Sequence, residues 1–252
     1  NLLAEKILPV LLADIPLQDD SLFALDEIRV LLENWDYRMA SESIAAGIFE
    51  VWMHTLLRNI FHDEMGDAPF KLFVNLPNFY LRIFDQVFVR GRSSWFDDIT
   101  TEKVENRSQI IRRSFEQTLE ILINLKGTSL QNWRWGEIHQ LKLKHVLGQV
   151  ALTNSVLNRG PYPVAGSGVT VNVGTYDYNH PFQMISGPSL RFVVDWSEAE
   201  RYRSIIPGGN SGNFLSEFYD NQIGWWLDGR LKVVYLDIEY PEKSLKLVPL
   251  QN

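Results

Sequence analysis

The chain has 252 residues, of which 45% are hydrophobic and 22% are charged, and its formal net charge is −7. This composition excludes a disordered chain and a membrane-spanning protein, and no run reaches the roughly 18 uninterrupted apolar residues that a membrane span requires. The negative charge argues against nucleic acid as a partner, because a phosphate-binding surface needs clustered Lys and Arg. The absence of cysteine excludes disulfides, thiol nucleophiles and cysteine-ligated metals.

The amino-terminal part of the chain is predicted to be helical after a short arm. Residues 1–20 contain Pro9 and Pro16, and we interpret them as a connecting arm. Residues 19–21 (Asp, Asp, Ser) then offer capping side chains for a first helix, in which apolar residues recur at helical spacing. These apolar residues are Leu25, Ile28, Leu31, Leu32 and Trp35.

A second helix is predicted to begin near Ser41 and to end at Gly66. Together the two helices would form a hairpin, and the small residues Ala45, Ala46 and Gly47 would let the two axes approach closely. The apolar face of the second helix consists of Ala45, Ile48, Phe49, Trp52 and Leu56.

The next stretch is less regular. Residues 71–76 fit either a short strand or a helix, whereas residues 80–89 show helical spacing. Residues 95–98 are predicted to be an exposed loop that leads into a helix capped near Thr100 and Thr101. That helix is predicted to end at Gly127, and its apolar stripe consists of Val104, Ile111, Phe115, Leu119, Leu122 and Leu125.

The pattern changes near residue 158, where Gly and Pro residues separate the helical spacing from the short β segments that follow. The predicted elements are strands at 169–173, 182–185 and 190–196, a helix over 217–226 and a final strand over 231–238. We therefore predict an α+β fold in which a mainly helical part, residues 1–157, is followed by a strand-rich part, residues 158–252.

The segment from 190 to 196 alternates apolar and polar residues as a strand does. Arg191 and Asp195 fall on the same face, so the strand is expected at a solvent edge or beside a polar site. A carboxylate on a strand is costly unless it is paired, and Arg191 is the predicted partner of Asp195. Residues 207–212 follow as a glycine-rich turn with expected positive φ values at Gly208, Gly209 and Gly212. Asn210 would hydrogen-bond either a ligand or its own turn.

The histidines do not predict a metal site. His54 and His62 are eight residues apart on a predicted helix, not the four that would bring them together on a zinc-binding face. We expect ordinary half-buried polar roles for them and a structural hydrogen bond for His139. No Ser lies in a Gly-x-Ser-x-Gly elbow, and the glycine-rich turn lacks the Lys of a phosphate-binding loop.

Three stretches resemble the penicillin acylase family. The first is Leu32-x-x-Trp35-Asp36-x-x-Met39-x-x-x-Ser43-x-Ala45-Ala46-x-x-Phe49-x-x-Trp52, and the second is Trp133-x-Trp135-Gly136-x-x-His139. The third is Gly187-x-Ser189-x-Arg191-x-x-x-Asp195, followed by Pro207-Gly208-Gly209-Asn210-Ser211-Gly212. The three occur in the family's order.

This resemblance implies an amide hydrolase whose nucleophile is the amino-terminal Ser of a chain released by self-cleavage. It implies that the chain is the carboxy-terminal portion of the nucleophile-bearing β subunit, within an αββα fold that is typically exported to the periplasm or outside the cell. Candidate substrates are acylated β-lactams, N-acyl homoserine lactones and similar amides. The expected partners are the α subunit and the amino-terminal part of the β subunit, with which this chain would form one structural unit.

The resemblance assigns few site residues to this chain. Asn1 is no nucleophile of the required type and the start is interpreted as internal, so the catalytic Ser is expected on another segment. Asp195 is the candidate for a carboxylate that orients groups near that Ser. No substrate-binding residue, metal ligand or cofactor is predicted for this chain, and calcium is a candidate only for the complete enzyme.

Two other functions fit the residues. The chain could be a non-catalytic binding or scaffold module derived from the acylase fold, which the heavy aromatic content suits. It could also be a small-molecule hydrolase on its own, but that hypothesis needs a nucleophile that the sequence does not offer.

Overall fold

The computed structural model describes residues 1–15 and 25–236, which fall into two compact units. Unit 1 spans residues 1–187 and unit 2 begins at Pro188. The helices of unit 1 in its described residues are α1 Leu2–Ala13, α2 Leu25–Glu33, α3 Ile44–Met65, α4 Asp67–Phe73, α5 Pro77–Arg90, α6 Arg107–Lys126, α7 Trp135–Ile138 and α8 Ala151–Leu157. The strands of unit 1 are β1 Gln140–Leu143, β2 Arg159–Pro163, β3 Thr175–Asp177 and β4 His180–Ser186.

The interpretation of residues 1–20 as a connecting arm is wrong for residues 2–13, which form α1. Pro9 lies inside this helix, but Ala4, Ile7, Leu8 and Leu11 recur at helical spacing and are fully buried. Burial of that apolar stripe outweighs the backbone hydrogen bond that Pro9 cannot donate. Pro16 and the predicted caps at 19–21 lie outside the described residues.

The helix α3 is the centre of unit 1. The Ser43 side chain caps it by accepting a hydrogen bond from Ala46 N at 3.1 Å, and the helix ends at Gly66, where φ is +70°. Burial is nearly continuous around α3, as expected for a helix surrounded by other elements. Gly47 allows a close approach of α3 to Trp133 rather than to α2. A Cβ added at Gly47 would lie 2.1 Å from the Trp133 carbonyl oxygen.

The long helix α6 packs along α3. It begins at Arg107 behind a capping box formed by Asn106 and Gln109, so the predicted cap near Thr100 is wrong. Thr100 instead donates to Asp98 at 2.6 Å, in a turn that precedes the helix. The end at Gly127 is confirmed, and the predicted stripe is buried at Ile111, Phe115, Leu119 and Leu122 but exposed at Val104 and Leu125.

The irregular stretch between α3 and α6 is helical. Residues 67–73 form α4, and the predicted helix over 80–89 is confirmed as α5. The prediction of an exposed loop at 95–98 is wrong at Phe96, which is only 1% exposed and belongs to the aromatic core. An apolar side chain flanked by Trp95 and Asp97 is buried here because it has the large core of α3 to pack against.

The strands of unit 1 form a sheet in the order β2-β1-β4-β3. β1 pairs antiparallel with β2 and parallel with β4, and β3 and β4 form an antiparallel hairpin. The predicted strand at 182–185 is confirmed within β4, whereas the predicted strand at 169–173 is wrong. There the chain forms a turn closed by a single bridge between Ser167 and Val173.

Unit 2 contains an antiparallel sheet in the order β5-β6-β7 and a short helix, in its described residues. These elements are β5 Arg191–Val194, β6 Arg201–Ile205, α9 Ile223–Leu227 and β7 Lys232–Tyr235. The predicted strands at 190–196 and 231–238 are confirmed in their central residues, although residues 237 and 238 lie outside the described range. The predicted helix over 217–226 is shorter, since the chain turns until Gln222.

The turn at 207–212 requires glycine because of a close backbone contact, not because of positive φ values. Gly208, Gly209 and Gly212 are not among the residues with positive φ, so that prediction is wrong. A Cβ at Gly209 would lie 1.9 Å from the Phe218 carbonyl oxygen, so close backbone approach requires glycine there.

The α+β class, with helices first and strands second, is confirmed. None of the helices in the described ranges is long and apolar enough to cross a membrane.

Candidate functional site

Unit 1 contains a cavity of about 400 Å³ between α3, α5 and the β3–β4 hairpin. Its lining combines apolar and aromatic side chains with polar ones such as Asn75 and Asp177, and the buried carboxyl group among the described lining residues is that of Glu50. The lining includes Phe49, Glu50, Met53, Tyr80, Tyr176 and Tyr178.

Glu50 lies on α3 and is 6% exposed, and it is the acidic residue within the otherwise apolar residues 44–53 of that helix. The Tyr176 hydroxyl donates a hydrogen bond to Glu50 Oε1 at 3.1 Å. Burial disfavours the charged carboxylate and raises the pKa of Glu50 to about 7, although the hydrogen bond from Tyr176 opposes this shift. Glu50 therefore changes its charge near neutral pH.

Three tyrosines form the aromatic wall beside Glu50. The rings of Tyr176 and Tyr178 stack with centroids 5.0 Å apart, and the ring of Tyr80 meets that of Tyr178 at 5.4 Å and 63°. The hydroxyls of Tyr80 and Tyr178 are hydrogen-bonded to each other at 2.8 Å. Burial raises the pKa of all three phenols, so these side chains are neutral near pH 7.

The turn between β3 and β4 is tied to the end of α4 by Asn75. Its Nδ2 donates to Asp177 Oδ1 at 3.0 Å, and its Oδ1 accepts from Tyr178 N at 3.1 Å. Asp177 also accepts from Asn179 N at 2.9 Å and contacts His180. The hydrogen bond with His180 is the main reason that the pKa of Asp177 is lowered to about 2. These bonds position Tyr176 and Tyr178 against the cavity.

Two histidines pack behind the tyrosines. His54 Nε2 lies 3.0 Å from the Tyr178 carbonyl oxygen, and the two rings stack with centroids 5.5 Å apart. His139 is fully buried, stacks on Trp135 and lies with Nδ1 2.6 Å from the Phe182 carbonyl oxygen. Burial lowers the pKa of both, that of His139 to about 4, so both are neutral at pH 7 and each donates to its carbonyl oxygen.

The structural roles predicted for the histidines agree with these contacts. His62 lies 2.8 Å from Asp67 at the end of α3, and His139 forms a hydrogen bond with the backbone rather than acting as an exposed base. Within residues 1–15 and 25–236, no three His, Cys, Asp or Glu side chains come together in a way that could hold a metal ion.

Asp195, the predicted orienting carboxylate, lies in unit 2 at the end of β5. It is exposed, and it accepts hydrogen bonds from Ser197 N at 2.9 Å and from Ser197 Oγ at 2.7 Å. These bonds lower its pKa and cap the 3₁₀ turn Trp196–Glu198. Arg191, its predicted partner, instead places its guanidinium 4.3 Å from the ring centroid of Trp226 and donates to the Trp226 carbonyl oxygen.

The loop from 207 to 222 closes on itself. Gln222 N donates to the Gly208 carbonyl oxygen at 2.9 Å, and Ser211 N donates to the Phe218 carbonyl oxygen at 3.0 Å. Asn210 Oδ1 accepts from Gln222 Nε2 at 3.0 Å. Of the two roles considered for Asn210, the structure therefore supports the hydrogen bond within its own loop.

A sequence model of the penicillin amidase family matches residues 1–240, which is nearly the whole chain. The chain belongs to the penicillin amidase family. The first of the three stretches that resemble the family spans Phe49 and Glu50 of the cavity lining, and the second contains Trp135 and His139, whose rings pack near the lining residue Tyr176. The ring centroids of Trp135 and His139 lie 6.4 Å and 6.3 Å from that of Tyr176.

Curated relatives of this penicillin amidase family member include two proteins named acyl-homoserine lactone acylase QuiP. The protein from Pseudomonas aeruginosa is 30% identical over 236 residues, which cover 85% of this chain and 28% of the relative. The protein from Pseudomonas syringae pv. syringae is 28% identical over 215 residues, covering 83% of this chain and 26% of the relative.

A relative with another name is the penicillin acylase 2 proenzyme of Pseudomonas sp. strain SE83. It is 24% identical over 205 residues, which cover 81% of this chain and 26% of the relative. The chain thus spans little more than a quarter of the length of the relatives it matches.

Sequence reasoning did not single out Glu50 or the three tyrosines of this family member. A signal for Glu50 was present, because it is the only acidic residue between Ser43 and Asp63 and lies within residues 44–53, which are otherwise apolar. The tyrosines lie at 80, 176 and 178, and no local pattern indicates that they meet. Their juxtaposition depends on the packing of α5 against the β3–β4 hairpin.

Proposed function

We propose that this chain is the carboxy-terminal portion of an acylase that hydrolyses the amide bond of an N-acyl homoserine lactone or a similar acyl amide. The observation that supports this most strongly is the similarity to a protein named acyl-homoserine lactone acylase, over 85% of the chain at 30% identity. The remaining acylase segments are the expected partners, since the chain spans 28% of that relative.

In this proposal the reaction proceeds through an acyl-enzyme. The hydroxyl of an amino-terminal Ser, carried by another segment, attacks the amide carbonyl while the α-amine of that Ser accepts the proton. The amide C–N bond breaks, and the amine leaves with a proton. Water then hydrolyses the ester, which releases the carboxylic acid and restores the Ser.

The described residues of this chain would support the catalyst rather than attack the substrate. The core around α3 holds the β3–β4 hairpin in place, and Asp195 is the proposed orienting carboxylate near the nucleophile. Export to the periplasm or outside the cell, maturation from a precursor and calcium in the complete enzyme are further parts of the proposal that come from the family resemblance.

The test is to express this chain alone and the longest natural product of its gene, and to assay both with N-acyl homoserine lactones by detecting the released amine. Amino-terminal sequencing of the mature product identifies the residue that begins each chain. We expect activity only in the longer product, together with a Ser at the start of one chain. A Ser→Ala change at that residue should abolish turnover.

Two results would contradict the proposal. A longer product that folds, carries this segment and cleaves no acyl amide would favour the non-catalytic module. Activity of this chain alone that is lost on a Ser→Ala change within it would instead assign the nucleophile to this chain.

A further inference from the structure

We propose that the cavity of unit 1 binds a small organic ammonium, with the Glu50 carboxylate as its counter-ion and the rings of Tyr80, Tyr176 and Tyr178 as its aromatic wall.

The charge of the cavity favours a cation. Glu50 is 6% exposed, and within the described residues the Tyr176 hydroxyl is its hydrogen-bond partner. A second carboxylate, that of Asp177, also lines the cavity. No Lys, Arg or His side chain is among the lining residues that the structure describes, and the amino group of Asn1, which also lines the cavity, donates to the Tyr37 carbonyl oxygen at 2.7 Å. A buried carboxylate is stable only when a cation or several donors balance it, and Tyr176 is the one donor to Glu50 within the described residues, so a ligand ammonium would complete this balance.

The aromatic wall favours the same ligand. An ammonium within about 6 Å of a ring centroid is attracted by the negative face of the ring, most strongly where water is excluded. Tyr176 and Tyr178 stack at 5.0 Å, and the hydroxyls of all three tyrosines are engaged in hydrogen bonds within the group or with Glu50. The rings are therefore held in position before a ligand arrives, which reduces the entropic cost of binding.

The cavity also accommodates the organic part of such a ligand. Its volume of about 400 Å³ lies within the range of small-molecule sites. The apolar lining that would contact a hydrocarbon or aromatic body includes Leu3, Phe49, Met53, Leu81, Val169 and Ile185.

The inference is related to the proposed function but does not need it. Amide hydrolysis releases an amine, so if the proposed function is correct, one product of the reaction belongs to the ligand class of this cavity. Binding is measured without turnover, so a failure of amine binding leaves the amidase proposal standing. An absence of amidase activity likewise leaves the amine site standing.

The experiment compares benzylammonium with benzyl alcohol, a neutral probe of the same shape, by titration calorimetry at pH 8 on the purified protein. Glu50→Gln keeps the volume of the side chain and an acceptor for Tyr176 but removes the charge. Glu64→Gln is the matched control, since it removes one carboxylate from the same helix outside the cavity lining. We expect Glu50→Gln to weaken benzylammonium binding by about tenfold or more and Glu64→Gln to leave it within about twofold.

Tyr176→Phe is a second variant, which keeps the carboxylate and the ring but removes the hydroxyl. It should retain the preference for benzylammonium over benzyl alcohol. The near-ultraviolet circular dichroism of each variant must match that of the parent protein, because only a folded cavity tests the proposal.

The affinity for benzylammonium, measured over a pH series, provides an independent test. The phenols of Tyr176, Tyr178 and Tyr80 line the cavity with Glu50 and are neutral near pH 7, and His54 on the same helix is neutral too. Asp177 is already ionised, and the amino group of Asn1, which also lines the cavity, is hydrogen-bonded to the Tyr37 carbonyl oxygen. Ionised Glu50 binds the cation, so the affinity for benzylammonium should rise as the pH increases through about 7. At pH 6, binding should release a proton, which calorimetry in two buffers of different ionisation enthalpy detects.

Three binding results would overturn the proposal. They are equal affinity for benzylammonium in the Glu50→Gln variant and the parent protein, equal affinity of the parent for the two probes, and no saturable benzylammonium binding at millimolar concentration. A structure of the longer acylase with a Lys or Arg of another segment on Glu50 would also overturn it.

Discussion

The two units differ in how they bury their apolar side chains. Unit 1 encloses a continuous aromatic core that includes Phe49, Trp52, Trp133 and Trp135, all of them at most 2% exposed. In the described part of unit 2, the buried apolar side chains are Ile205, Ile223 and Trp226. Many other apolar residues there are exposed, such as Phe192 at 53% and Trp196 at 88%.

This difference shows that two kinds of contact stabilise the two units. Unit 1 depends on close packing around α3, whereas unit 2 depends on sheet hydrogen bonds, a closed loop and arginine side chains over tryptophan rings. A small sheet with exposed apolar faces buries little surface by itself and is therefore only marginally stable. Substitutions in unit 1 should consequently have larger effects on stability than matched substitutions in unit 2.

The largest expected effect is that of Gly47→Ala in α3. The new Cβ would lie 2.1 Å from the Trp133 carbonyl oxygen, and a backbone atom in a packed turn cannot move away easily. We expect the free energy of unfolding to fall by at least about 3 kcal/mol, measured by urea unfolding with tryptophan fluorescence.

Gly224→Ala in α9 is the matched control for Gly47→Ala. No heavy atom lies within 4 Å of its added Cβ, so we expect a change of less than about 1 kcal/mol, in the stabilising direction that alanine confers on a helix. An unchanged unfolding midpoint for Gly47→Ala would show that unit 1 is packed less closely than the structure indicates.

The second effect is a gain in stability from Glu50→Gln that depends on pH. The pKa of Glu50 is about 7 in the folded chain and 4.5 in the reference state, so the native state binds more protons between these values. The stability that Glu50 contributes as a neutral acid is fully present below pH 4.5. It is lost as the pH rises through 7, because a buried carboxylate then forms. Glutamine does not ionise, so the variant should gain up to about 3 kcal/mol at pH 8 and almost nothing at pH 4.

Thermal unfolding of the variant and the parent protein at both pH values measures this difference. His139 affects stability in the opposite direction, since its lowered pKa reduces the stability of the folded chain as the pH falls from 6.5 towards 4. This contribution is the same in the variant and the parent protein, so it cancels when the two are compared at one pH. A constant difference between variant and parent across this range would mean that Glu50 does not titrate in the folded protein.

In unit 2, Arg191→Ala should have a moderate effect. The substitution removes the guanidinium that lies 4.3 Å from the Trp226 ring and its hydrogen bond to the Trp226 carbonyl oxygen. We expect a local loss of about 1–2 kcal/mol, measured by faster hydrogen exchange in β5 and α9. Arg230→Ala, beside the more exposed Trp225, should cost less than about 0.5 kcal/mol. Equal effects would show that the Arg191 contact does not stabilise unit 2.

The smallest expected effect on stability is that of Asp195→Asn. Asparagine keeps an oxygen that accepts from Ser197 N, so the turn Trp196–Glu198 should lose little stability. In the complete acylase, however, we predict that kcat falls well beyond what this loss of stability explains. A matched Ser197→Ala variant disturbs the same turn but keeps the carboxylate. If both variants reduce kcat equally, or neither does, Asp195 has only a local structural role.

Much of the secondary structure followed from local patterns, and the failures have a common physical cause. The end of α6 at Gly127 and the central residues of β5 were predicted because their signals are local. The arm at residues 2–13 was mispredicted because burial of one stripe outweighs an internal Pro9. The space required at Gly209 was missed because the atom that approaches it, the Phe218 carbonyl oxygen, lies nine residues away along the chain.

The candidate site was less predictable than the fold. Asp195 was singled out from a strand pattern and a family resemblance, and its catalytic role stays a prediction. The cavity with Glu50, Tyr80 and Tyr176 was not predicted, since these residues lie on three separate elements.

The sequence by itself determined the family, the α+β class and most helix and strand positions, because motifs, periodicity and capping are properties of neighbouring residues. Only the tertiary structure decided that Glu50 meets Tyr176 across 126 residues of chain. It also decided that the charge of Glu50 changes near neutral pH. Burial and hydrogen-bond partners set the pKa of a carboxyl group, and both come from distant segments that fold against it.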